Sequence, residues 1–156
     1  MKNNYILTVC LVVLLTLISL SIYSPIRFGK QQGLREQAVK ERLVRIRLAE
    51  EAYRKQKGVY TANWQALTQG GFLADSLQYI PYSDHKKFDL SADVKIGKSG
   101  RQLPVMECGA NYADYLEGLD ADEIANLTEN ANNAGQYPGL KIGDILTPNN
   151  NAGNWE

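Results

Sequence analysis

One histidine, His85, and two cysteines, Cys10 and Cys108, are the chain's whole stock of soft nucleophiles and neutral-pH bases. His85 lies in SDHKKF, a polar stretch just ahead of an alternating segment, the setting of a surface-loop histidine. Cys10 falls inside an uncharged apolar run and Cys108 near the end of a strand-like segment, so no disulfide between them is expected. Cys108 reads as a small core residue. A Cys108–His85 dyad would need the base within hydrogen-bond reach of the thiol, and nothing in the spacing brings the two together. Asp114, Glu117, Asp120, Asp122 and Glu123 offer the oxygens that Ca²⁺ takes. They lack the alternating ligands and central Gly of an EF-hand loop, and helix capping and solvation account for them equally well. The glycines are scattered at turns, with no phosphate-cradling loop and no nucleophile elbow. The expectation is a protein with no catalytic residue, no cofactor and no metal site, and not an enzyme.

Two short motifs concern modification instead. Asn126-Leu127-Thr128 fits the N-glycan acceptor pattern, which matters only in a glycosylating compartment. Asp75-Ser76-Leu77 resembles the Asp-Ser/Thr-aliphatic acceptor of bacterial O-glycosylation, which makes Ser76 the candidate residue.

Charge separates along the chain although 17 basic residues balance 17 acidic ones. Arg27 to Lys57 holds ten Lys/Arg against four Glu, a net of +6, and Glu107 to Glu156 holds one Lys against nine Asp/Glu, a net of −8. A solvated basic stem and an acidic head are the ordinary meaning of such a division. It also gives one copy's head a charge to meet another copy's stem. The first basic residues adjoin an apolar run, where they can touch anionic headgroups. Glu36, Glu41, Glu50 and Glu51 interleave with the bases, so no nucleic-acid partner is expected, and no small-molecule substrate is evident.

These features hang on an N-terminal segment without charge. Asn3 to Ile26 carries none, and 5–26 is read as a membrane-spanning signal anchor behind a short tail, 1–4. It ends SLSIYSPIRF, without the small-x-small exit of a removable signal peptide. Counting Lys and Arg alone would keep the remainder in the cytoplasm. A short tail carrying Lys2 is, however, a common inside-facing start, and the expected placement of the head is periplasmic.

Residues 27–57 read as an amphipathic helical stem. Val39, Leu43, Ile46, Ala49 and Tyr53 recur at helical steps and form one face, the candidate assembly face. Glu36–Lys40, Glu41–Arg45, Glu50–Arg54 and Glu51–Lys55 are i,i+4 pairs in the favourable order. Gly58 follows the last basic turn and closes the helix. The head, 58–156, begins with a short helix capped by Asn63 and a loop around Tyr79 to Asp84. FDLSADVKI alternates with the period of a half-wet strand, and RQLPVMEC returns as its partner. Pro104 argues that this partner lies at an edge or carries a bulge. Asn111 to Asn133 is helical in pieces, with Asp120 and Glu123 spaced as a capping box. LKIGDIL adds a short strand, and TPNNNAGNWE is irregular, with Trp155 as a pin.

This order, apolar span, amphipathic stem, aromatic turn and small antiparallel sheet, resembles type IV pilins and the pseudopilins of type II secretion. The local match is AEEAYRKQKGVYTANWQALTQGGFL, Ala49 to Leu73, with Tyr53, Gly58, Tyr60 and Leu67 at the family's positions. The resemblance implies an α+β fold with a long helix packed on a small antiparallel sheet. It also implies a structural or accessory subunit of a bacterial cell-envelope assembly, at the inner membrane, whose partners are copies of itself or another envelope protein. Asn3 to Ile26 has neither the Gly nor the Glu of a prepilin leader junction, so prepilin peptidase processing is not expected. A tethered periplasmic module that recognises a protein or glycan is the alternative.

Overall fold

A computed structural model describes the backbone of residues 2–97 and 100–156, and the side chains of all of these except 2–4 and 19–25. The fold is α+β. Its elements are α1 (Lys2–Lys57), α2 (Trp64–Gln69), a 3₁₀ turn (Asp75–Gln78), β1 (Asp89–Ile96), β2 (Gln102–Asn111), α3 (Tyr112–Tyr115), α4 (Ala121–Asn133) and β3 (Gly139–Gly143). The chain divides into two units, Met1–Leu34 and Arg35–Glu156.

In the first unit every large apolar side chain described from Tyr5 to Ile18 is exposed, from 46% at Val9 to 74% at Tyr5. Among the described residues no helix is long and apolar enough to cross a membrane. The expected span, 5–26, takes in positions 19–25, whose side chains lie outside the described residues.

The second unit is built on the α1 residues from Arg35 onward. Val39, Leu43 and Ile46 are fully buried and Ala49 is 4% exposed, while Tyr53 is half-buried with its ring edge-on to Phe72. Four of the five residues of this face, expected to serve assembly, are therefore buried in the unit's own core, and Tyr53 alone keeps part of its surface open. The helix stops where Gly58, at φ 83°, turns into the left-handed region and donates its N–H to the Arg54 carbonyl. Asn63 Oδ1 accepts from the Gln65 N–H at 2.9 Å and starts α2, as its residue type leads one to expect. Asp120 Oδ1 does the same for α4, accepting from Asp122 and Glu123.

The sheet has the order β1-β2-β3, both pairs antiparallel. Leu90, Ala92, Val94 and Ile96 of β1 stand opposite Cys108, Met106, Pro104 and Gln102 on one sheet face. Cys108 and Met106 are fully buried there, Leu90 and Ala92 half-buried, and Val94 and Ile96 exposed. Pro104 is thus on the central strand and not at a sheet edge. β3 pairs only with Glu107 to Asn111, so at Pro104 the strand has a single neighbour and its missing N–H faces an empty side.

The last residues are more ordered than their composition suggests. Gly143 N–H donates to the Ala152 carbonyl and Asn154 N–H to the Lys141 carbonyl, both at 3.0 Å, which lays the tail along the outer edge of β3. The tail reaches that edge through a turn in which the Ala152 N–H donates to the Asn149 carbonyl. Its central residues Asn150 and Asn151 both take positive φ, 58° and 59°, a type I′ geometry that asparagine tolerates.

Candidate functional site

Three arginines along α1 reach into the rest of the second unit, and each donates to main-chain oxygens. Arg35 donates to the carbonyls of Tyr115 (3.0 Å) and Glu117 (2.8 Å), and Arg42 to those of Ser76 and Tyr79. Arg47 donates to the carbonyl of Asn151 (3.2 Å) and pairs with the Glu156 carboxylate at 2.9 Å. A guanidinium suits this task because its planar fork serves several acceptors at once. Carbonyl acceptors leave no trace in a sequence, so helical periodicity marks these arginines only as solvated bases.

Glu50 departs furthest from expectation. The i,i+4 pattern pairs it with Arg54, yet its side chain is fully buried, and Arg54 donates instead to the Tyr60 hydroxyl at 3.0 Å. Glu50 Oε2 accepts from the Thr61 N–H at 3.1 Å, and Oε1 has no partner among the described residues. Burial pushes the carboxyl up to about 7, against the pull of the Thr61 bond. Burial likewise holds the Cys108 thiol well above its ordinary range, with Glu50 adding to the effect. Neither is an activated nucleophile or an accessible base. The sequence signal was available: Glu50 lies on the stripe of Val39, Leu43, Ile46 and Tyr53, four residues after Ile46 and three before Tyr53.

Tyr60, also buried, ties the stem to the tail. Its hydroxyl accepts from Arg54 and, at 2.7 Å, from the buried amide of Asn151. Beside it lies a groove of about 430 Å³ lined by Glu51, Arg54, Lys55, Tyr60, Asn150 and Asn151.

A larger groove, about 610 Å³, runs over the loop at 75–85 and includes Arg42, Ser76, Tyr79, Pro81, Tyr82 and His85. Tyr82 and His85 adopt positive φ, 63° and 54°, which non-glycine residues take only when their surroundings enforce it. The Arg35 guanidinium stands 4.9 Å over the Tyr82 ring. Tyr82 is 57% exposed, so its other surface remains open. Ser76 is exposed on the 3₁₀ turn at the groove's margin, a position accessible to a modifying enzyme.

The remaining candidates are dispersed. His85 is exposed in its loop, 3.7 Å from Asp84, and Cys108 is buried in β2. Asp114 pairs with Lys86 at 3.0 Å, and Asp120 serves as the α4 cap. Among the described residues no group of three His, Cys, Asp or Glu side chains is placed to hold a metal ion. Asn126 and Thr128 lie within α4, where Thr128 Oγ1 donates back to the Ile124 carbonyl. Comparison with protein-family models, with curated proteins and with solved structures finds no match.

Proposed function

We propose that this chain is a membrane-anchored, pilin-like structural or accessory subunit of a bacterial cell-envelope assembly, with its head on the periplasmic side of the inner membrane. The observation that carries the reading is the exposed, uncharged run Tyr5 to Ile18 on the same α1 that supplies the core stripe of the second unit. Exposed Ile, Leu and Val on consecutive residues leave no polar helix face and are costly in water. With residues up to Ile26 the run would reach about 33 Å at ~1.5 Å per residue, against a hydrocarbon core of ~30 Å. The arginine-to-carbonyl ties support a structural role, since they fix a rigid unit and spend the stem's cations on its own head.

The test is photo-crosslinking in intact cells from Leu48, which is 59% exposed on α1, in place of the buried Val39 or Leu43. A ladder of self-adducts is the expected result for an assembling subunit. A single discrete adduct with another protein would overturn self-assembly. It would favour the second reading, a tethered module that recognises a protein or glycan, for which the open ring of Tyr82 beside the groove of about 610 Å³ is the supporting observation.

A further inference from the structure

The two edges of the sheet are treated differently. The tail closes the outer edge of β3, as described. On the outer side of β1 the chain covers only the start: Phe88 N–H donates to the Gln78 carbonyl and Ile80 N–H to the Lys86 carbonyl. From Leu90 to Ile96, β1 has no strand on that side among the described residues. An open edge of this length is a template for pairing unless it is blunted.

The groups that face outward follow from the ladder. Gly97 N–H donates to the Arg101 carbonyl, which turns the odd-numbered residues of β1 towards β2. Leu90, Ala92, Val94 and Ile96 therefore point their backbone groups away from the sheet. Among the described residues Val94 N–H is met by the carboxylate of its own neighbour, Asp93 Oδ1, at 2.7 Å. Val94 and Ile96 also lie on the sheet face that buries Met106 and Cys108 completely, yet they are 38% and 77% exposed. The core face of the hairpin thus runs on past its cover.

We propose that this free edge is a self-pairing surface, on which Ala92–Ile96 of two copies align antiparallel about Val94. Outward backbone groups meet only when even-numbered residues face even-numbered ones, which leaves few registers. Setting Ala92 opposite Val94 places Asp93 against Asp93, a repulsive pair. Centring on Ala92 drives Ile96 against the Phe88 position, already bonded to Gln78. Centring on Val94 sets Lys95 opposite Asp93 twice and Ala92 opposite Ile96 twice. Charge, apolar cover and hydrogen bonding then agree, and the contact is self-complementary, as a two-fold interface requires. Asp93 exchanges the Val94 N–H for the second copy's Lys95, whose Nζ gives up its 3.2 Å bond to the Leu146 carbonyl. The surface gives the proposed subunit its self-contact, and it rests on that reading only for the membrane that gathers the copies.

The test uses the full chain with Cys10→Ala and Val94→Cys, oxidised mildly in membranes from expressing cells. Directly opposed hydrogen-bonded residues have Cα atoms ~5.5 Å apart, within disulfide range. A disulfide-linked dimer is expected, and none from Leu103→Cys, an exposed position on the sheet's other face. Adding Lys95→Asp should abolish the dimer, and adding Asp93→Lys to that should restore it. Equal yields from Val94→Cys and Leu103→Cys, failure of the charge exchange to restore the dimer, or an adduct only with another protein would overturn the pairing. Absence of the dimer in a chain that sediments with membranes counts against the pairing alone. A dimer in a chain recovered as soluble protein counts against the anchor alone.

Discussion

Glu50 is the side chain whose environment has the clearest measurable consequence. Its carboxyl holds a proton to about 7 in the folded chain against 4.5 ordinarily, so folding takes up a proton between those values. The stability it contributes is complete below about 4.5 and is lost as the pH rises through about 7. The half-buried Asp144 and the exposed Glu156 act in the opposite sense at lower pH. Backbone N–H bonds, from Thr147 to Asp144 and from Gly153 to Glu156, are the first cause that lowers each of them. The difference between wild type and Glu50→Gln isolates the buried group. The amide keeps an oxygen for the Thr61 N–H and carries no charge, so the variant should melt higher than wild type at pH 8 and lose that advantage by pH 4.5. Glu50→Leu, which strands the Thr61 N–H, should be about 1–3 kcal/mol less stable than Glu50→Gln at any pH. Parallel melting-versus-pH curves for wild type and Glu50→Gln would refute this account of the site.

Among the elements, β2 carries the lesson about what sequence pattern can and cannot give. The alternation of Phe88 to Ile96 is legible because one sheet face is wet, and it correctly marks β1. Pro104 is equally legible as a ladder defect, but it argues for an edge strand, and the order β1-β2-β3 places it at the centre. Which residues of β2 lack a second neighbour depends on the length of β3, and that is fixed by tertiary pairing. The even residues of β2 face β3 and the odd ones β1, so Pro104→Ala should leave stability within about 0.5 kcal/mol of wild type. Val105→Pro, one residue on, removes a bond to β1 and should cost ~3 kcal/mol or more. Urea titration of the two variants distinguishes them, and a large loss from Pro104→Ala would contradict the topology. The tail teaches the same point. Its asparagines read as irregular polar chain, yet their tolerance of positive φ builds the turn that closes the β3 edge.

Taken whole, the chain's plan was largely readable: a long helix, a short capped helix, a hairpin and a third strand lie where period and capping residues put them. The use of the stem was not. A helical stripe says that Val39, Leu43 and Ile46 need cover, but not whether this chain or another provides it, and here the second unit buries them itself. The arginines were hidden because their partners are carbonyls, whereas Glu50's place on the apolar stripe was legible and was outweighed only by the simpler pairing its neighbour Arg54 offers. With its core stripe buried internally, the proposed link to an envelope rests on the exposed run Tyr5 to Ile18. Alkaline carbonate extraction of membranes from cells making the full chain at native level tests that directly. The anchored subunit should stay in the pellet, and its head should be digested by protease added to the periplasmic side. Recovery of the full chain in the carbonate supernatant would contradict the account.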